Sequence, residues 1–183
     1  RTNAQSRVLE ESLRKRNVPY RIYGGLSFYQ RKEVKDAIAY FRLSLNPDDD
    51  EALRRIINFP ARGIGDTTLG KLTRAAMDEG VSLWAVISDA DNHECGLNAG
   101  TKRKLSDFAE LIKGFIDLNA QGRDAYDVAR NIIERTGLYS MLVHDSTPES
   151  ISKQENLQEL LKGVKEYVDS MVEQGREDVS LGS

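Results

Sequence analysis

The sequence predicts an all-α fold, a multi-helix domain with a helix-hairpin-helix-like turn and a short strand near its N-terminal end. Within 105–116 and 157–171, apolar residues recur at three- and four-residue steps. This spacing places them on one face of an amphipathic helix. One short run, 19–23, alternates in the manner of a strand and is closed by two glycines. A single strand makes no sheet, so we expect this chain to be a piece of a longer protein.

Capping and breaking residues divide the first third of the chain into helices. A helix at 34–45 is predicted to end at Asn46, because the ring of Pro47 disfavours helical backbone at the residue before it. The acidic run 48–50 then suits the N-terminus of the next helix, which reaches to about residue 57.

The later helix boundaries rest on the same signals. The expected helices span about 67–78, 81–87, 102–119, 125–136 and 152–172, with loops at 89–100 and 144–150. The expected caps are Asp66 or Thr67, Thr101 and Asp124 at helix starts, and Gly80 and Gly137 after helix ends.

Composition excludes several functional classes. The 183 residues carry a net charge of -3, so any nucleic-acid binding depends on a local basic patch. One cysteine, Cys95, and two histidines, His93 and His144, are too few for a closed zinc site. No apolar run is long enough to span a membrane, and the lone cysteine fits a reducing compartment. We therefore expect a cytoplasmic protein without a metal site.

A phosphate-loop spacing occurs at 65–71, GDTTLGK, but it lacks the features that bind a nucleotide. The next residue is Leu72, where the motif needs a serine or threonine to bind magnesium. No strand is predicted before it either. The sequence therefore predicts no catalytic residues and no cofactor in this chain, which is not an enzyme by itself.

The segment 60–71 carries the strongest indication of a binding site. From residue 54 to residue 74 there are five basic residues and one acid, a local excess of +4. Glycines permit close approach of a ligand to the backbone, and a helix N-terminus attracts anions. The pattern predicts contact with DNA phosphates, without sequence preference, through Arg62, Gly63, Ile64, Gly65, Thr67, Thr68 and Lys71. The alternative is a tight structural turn with solvated arginines.

A second basic segment, 98–104, places a glycine, a threonine and three cations at a helix start. The residues proposed for a second DNA contact are Thr101, Lys102 and Lys104. The alternative, which we favour for this segment, is a solvated basic helix end. Aromatic residues are frequent between 20 and 41, where they either stack on bases or pack in a core, and packing is the simpler interpretation.

Several segments in order resemble the UvrD/Rep/PcrA family of superfamily 1 helicases. The resemblance rests on RTNAQSR at 1–7, PYRIYGG at 19–25, FYQRKEVKD at 28–36, NPDDD at 46–50 and the turn RGIG at 62–65. The segment ENLQEL at 155–160 is similar to a later motif of the same family. The resemblance is strongest over residues 1–74.

The resemblance implies where this chain belongs in a larger motor. Residues 1–25 would be the trailing part of motor subdomain 2A, and 26–183 the helical 2B accessory subdomain. The Gly-Ile-Gly turn would contact duplex DNA at a fork or junction, and Gly24 and Gly25 would form a hinge to the rest of the motor. The parent enzyme would use ATP and Mg²⁺. The alternatives are a protein-interaction or autoinhibitory module without DNA contact, and a stand-alone helical DNA-binding protein.

Overall fold

The computed structural model describes residues 26–173, which form α-helices, a short 3-10 helix (Ala90–Asn92) within the predicted loop 89–100, and short connections without any strand. The prediction of an all-α fold is confirmed. The predicted strand at 19–23 and the predicted hinge at Gly24 and Gly25 lie outside the described residues. The helices are α1 (Leu26–Tyr29), α2 (Lys32–Leu45), α3 (Asp50–Ile56), α4 (Asp66–Glu79), α5 (Leu83–Ile87), α6 (Ala99–Ala120), α7 (Ala125–Arg135), α8 (Leu138–Val143) and α9 (Pro148–Glu173).

Helix α2 is the centre of the fold. It packs against α3, α6, α7 and α9, and ten of its fourteen residues are buried. Two of these are acids, and both have partners. Glu33 accepts a hydrogen bond of 2.6 Å from the amide of Asn156, and Asp36 pairs with Arg55 at 2.7 Å. Buried carboxylates are tolerated in a helical core only with such partners.

Most helix ends lie where the sequence predicts them. The Asp49 and Asp124 side chains accept the N–H groups of Ala52 and Asp127, at 3.2 and 2.8 Å, as expected of N-cap residues. Gly80 and Gly137 follow their helices with φ of 66° and 84°, in the left-handed region that ends helices.

The predicted N-caps of two helices are wrong. Helix α4 begins at Asp66 with Gly65 as its N-cap, so neither Asp66 nor Thr67 caps it. Thr101 does not cap α6 either, because that helix begins at Ala99 and Asn98 accepts the Thr101 N–H at 2.8 Å.

The predicted start of α9 near residue 152 is wrong, and the short helix α8 was not predicted. Helix α9 begins at Pro148 rather than near residue 152, since proline suits the first turn of a helix, where its missing N–H costs nothing. The six residues of α8 are too few to form a stable helix alone and are held by packing against α7 and α9. Across residues 26–173, no helix has the length and apolar content needed to cross a bilayer.

Candidate nucleic-acid interface

The turn between α3 and α4, residues 57–65, is closed from within by Asn58. The Oδ1 atom of Asn58 accepts the backbone N–H of Arg62 at 2.8 Å and that of Ile64 at 3.1 Å. Ile64 is only 1% exposed and anchors the turn in the core. Two amides of the turn are therefore already bonded, and any anion must be bound by other groups.

Arg62 points inward, beneath the turn. One of its terminal nitrogens donates to the carbonyl of Ile56 at 2.8 Å, and to those of Ile57 and Phe59 at 3.3 Å. The last carbonyls of a helix have no partner within the helix, and Arg62 supplies one for α3. The sequence predicted that this guanidinium contacts phosphate, but in this structure its hydrogen bonds hold the turn in shape.

Tyr40 on α2 completes the support under the turn. Its hydroxyl accepts a short hydrogen bond from the second terminal nitrogen of Arg62 and donates one of 2.7 Å to the carbonyl of Phe59. Burial raises the pKa of Tyr40 to about 12, although the Arg62 charge acts to lower it. The hydroxyl therefore keeps its proton at neutral pH and remains a donor. Neither Tyr40 nor Asn58 was identified from the sequence as part of the site.

The outer side of the turn consists of Gly63, Gly65 and the first residues of α4. Gly63 has a φ of +77°, which other residues rarely adopt, whereas Gly65 has an extended backbone with φ of -86°. Within the described part of the chain, no side chain caps the start of α4. The exposed Thr67 and half-buried Thr68 lie in that first turn, beside amides that have no helical partner.

Lys104 of α6 lies directly over Gly63. A Cβ atom built on Gly63 would be 2.7 Å from the Nζ of Lys104 and 3.2 Å from its Cε. The Lys104 side chain is exposed and has no carboxylate partner among residues 26–173. The two segments that the sequence indicated separately, 60–71 and 98–104, are therefore brought together at this point.

The remaining predicted residues contribute less to this surface. Lys71 is exposed, and its Nζ donates to the carbonyl of Gly96 at 3.1 Å, which ties α4 to the loop before α6. Lys102 lies 3.8 Å from a carboxylate oxygen of Asp91. Thr101 is half-buried within the first turn of α6.

The other candidate residues have structural roles. Aromatic side chains of α1 and α2 are core residues, as the simpler interpretation held: Phe28, Tyr29, Tyr40 and Phe41 are at most 4% exposed. His93 pairs with Glu79 at 2.7 Å. In the part of the chain that the structure describes, no three histidine, cysteine or acidic side chains are grouped to hold a metal ion.

Comparison with known proteins identifies the family. The family model described as "UvrD-like helicase C-terminal domain" matches residues 1–180. The chain belongs to the UvrD-like helicase family. It is 37% identical over 167 residues to an ATP-dependent DNA helicase PcrA of Staphylococcus aureus. It is 38% identical over 168 residues to a DNA helicase II of Haemophilus influenzae.

These alignments cover nearly all of the chain but a small part of the relatives. They include 91% and 92% of this chain, against 22% of the PcrA helicase and 23% of DNA helicase II. This member of the UvrD-like family therefore spans less than a quarter of the length of the helicases that it matches.

Proposed function

We propose that this chain is the duplex-contacting accessory part of an ATP-dependent DNA helicase, with 1–25 the trailing part of subdomain 2A and 26–183 subdomain 2B. The observation that carries the proposal is the position of the Lys104 ammonium group over Gly63, beside the uncapped start of α4. In this proposal the motor elsewhere in the parent enzyme uses ATP and Mg²⁺, and this chain is not catalytic. Its partners are duplex DNA at a fork, the motor and other proteins.

The outer face of the turn has the chemistry that a DNA backbone needs. The amides and the dipole at the start of α4 favour an anion, and the hydroxyls of Thr67 and Thr68 add donors. Gly63 has no side chain to obstruct a phosphate, and Lys104 supplies a full positive charge. Arg62 serves by fixing the turn. Such contacts read no base edges, so binding is independent of sequence.

Fluorescence anisotropy with a duplex carrying a single-stranded tail tests this proposal. The matched variants are Lys104→Ala and Lys113→Ala, which lie nine residues apart on α6 and hence about 180° apart around it. We expect weak binding, with a Kd on the order of 10⁻⁴ to 10⁻⁶ M. Lys104→Ala should weaken binding and lower the slope of log K against log salt concentration by about 1, while Lys113→Ala binds like the native chain.

Failure of the native chain to bind duplex at low salt would count against DNA contact by this chain. Equal affinities of the two variants would instead show that the Gly63 turn is not the contact. Circular dichroism and thermal unfolding of both variants establish that each is folded.

A protein-interaction or autoinhibitory module is the second candidate, and exposed apolar side chains favour it. Met77 near the end of α4 is 76% exposed, and Val81 just after the helix is 40% exposed. Large apolar groups exposed together are typical of contact surfaces. In the parent helicase, Met77→Lys would change unwinding without affecting duplex affinity if this surface restrains the motor. The same unwinding rate in both proteins would exclude that role for Met77.

The hinge at Gly24 and Gly25 also remains a proposal. Replacing both glycines with alanine in the parent helicase should change the rate of duplex unwinding, because alanine restricts the backbone. An unchanged rate would show that these two glycines have no role in unwinding.

A further inference from the structure

A cleft of about 350 Å³ opens beside the Gly63 turn, between α6 and α7. It is lined by Arg62, Lys104, Asp107, Phe108, Leu111, Arg135 and Thr136. The sequence singled out Lys104 but gave no indication that Arg135 lines the same cleft, with its guanidinium against Gly114 further along α6.

The cleft and the turn form one continuous surface. Lys104 lies over Gly63 on one side and lines the cleft on the other. At the α7 end, a Cβ on Gly137 would lie 3.8 Å from the ring of Pro60, so the end of α7 abuts the start of the turn. A strand of DNA held at Gly63 therefore passes this cleft if it continues towards α7.

Arg135 differs from Arg130, the other arginine of its helix. Arg130 pairs with Glu134 at 3.0 Å and with Asp127 at 3.3 Å, so carboxylates neutralise its charge. The guanidinium of Arg135 instead lies 5.4 Å from the ring centre of Phe115 and has no carboxylate partner within residues 26–173. It is exposed, and the aromatic ring orients its planar face while leaving its charge available.

The balance of charge in the cleft favours an anion. Lys104 and Arg135 contribute two unpaired cations, Arg62 contributes a third at one end, and Asp107 is the acid among the lining residues. The planar guanidinium of arginine matches the geometry of a phosphate and can donate to two of its oxygens. The half-buried Leu111 adds an apolar side chain to the lining, against which a sugar ring can pack.

We propose that this cleft binds a second backbone phosphate of the same DNA duplex, held by Arg135 near Gly114, while Lys104 stays at the Gly63 end. The inference rests on the proposed function and extends it, because it lengthens the contact from the turn on α4 to the end of α7. In this arrangement Lys104 lies between two successive contacts, and Asp107 weakens the second one by repulsion.

The test compares Arg135→Ala with Arg130→Ala in the same anisotropy titration. The two arginines lie on one helix, five residues and so about 140° apart. Arg135→Ala should weaken binding about three- to tenfold and lower the salt slope by about 1, while Arg135→Lys retains the slope. Arg130→Ala should leave both quantities at the native values.

Asp107→Asn gives an independent test that misfolding cannot imitate. Removing the acid from the cleft should tighten binding about two- to fivefold, because one repulsive charge near the phosphate is lost. Unchanged affinity in both Arg135→Ala and Asp107→Asn, in a chain whose binding still depends on Lys104, would overturn the second phosphate site alone. Absence of duplex binding by the native chain would overturn the proposed function with it.

Discussion

Among the turns of residues 26–173 that contain a glycine with positive φ, the turns at Gly63 and Gly137 differ because only the first has the features of a binding surface. Gly63 between α3 and α4 has a φ of 77°, and Gly137 between α7 and α8 has a φ of 84°. At Gly137 the nearest atoms to an added Cβ belong to Ser140 and Pro60, at 3.7 and 3.8 Å. At Gly63 the nearest atom is the charged nitrogen of Lys104.

The two turns differ in the side chains that pack around the glycine and not in the glycine itself. The Gly137 turn is stabilised locally, since the Thr136 hydroxyl donates to the Ile132 carbonyl at 2.6 Å. The Gly63 turn is supported from beneath by Arg62 and by Tyr40 of another helix. Its outer side therefore stays open to a ligand, and a glycine in a turn indicates a binding site only when such neighbours are present.

The largest effect is expected on stability when the support under the Gly63 turn is removed. Arg62→Ala leaves the carbonyls at the end of α3 and the Tyr40 hydroxyl without their charged donor, and should lower the free energy of unfolding by about 3 kcal/mol. Urea unfolding measures this change. Arg123→Ala is the control, since its ion pair with Asp127 is local and exposed, and it should cost less than about 1 kcal/mol. Equal losses would show that Arg62 is a surface residue without this role.

Replacing each of the two glycines by alanine separates an effect on stability from an effect on duplex binding. Gly63→Ala and Gly137→Ala should each lower the free energy of unfolding by about 1–2 kcal/mol, because both force a left-handed backbone on alanine. Only Gly63→Ala displaces the Lys104 ammonium, so only this variant should weaken duplex binding in anisotropy titrations. A similar loss of binding in both variants would mean that the effect is general destabilisation.

A smaller change is expected from the Tyr40 hydroxyl. Tyr40→Phe removes an acceptor from Arg62 and a donor from the Phe59 carbonyl, which should cost about 1–2 kcal/mol in thermal unfolding. Tyr126→Phe should be close to neutral, because the ring of Tyr126 faces Lys165 and its hydroxyl bonds no residue in 26–173. If the two variants are equally stable, the hydrogen bonds of Tyr40 contribute nothing to the turn.

The smallest effect is expected at Lys71. Its amino group is held by the Gly96 carbonyl, so Lys71→Ala should change duplex affinity less than Lys104→Ala and stability by about 0.5 kcal/mol or less. Anisotropy and thermal unfolding of the two variants give this ranking. A larger loss of affinity for Lys71→Ala than for Lys104→Ala would show that the DNA contact is centred on Lys71.

Local signals in the sequence predicted most helices, because caps depend on neighbours within one turn. Asp49, Asp124 and Gly137 each act where the sequence placed them. The start of α6 was misplaced because Thr101 and Asn98 are both good caps, and the sequence alone does not rank them in context.

The site was only partly predictable from the sequence, for a physical reason. The sequence identified the glycines, the threonines and the basic residues of the turn. The inward direction of Arg62 depends on Tyr40, 22 residues earlier, and the position of Lys104 depends on how α6 packs. Such long-range neighbours leave no periodic pattern, so neither Tyr40 nor Arg135 was singled out.

Contact between duplex DNA and the outer face of the Gly63 turn is the proposal on which the others depend. The most direct measurement follows backbone amide resonances of the isotope-labelled chain while the tailed duplex is added. We predict that Gly63, Thr67 and Thr68 shift progressively, while Gly80 at the opposite end of α4 stays at its free position. Shifts at Gly80 with none at Gly63, Thr67 or Thr68 would contradict contact at this turn.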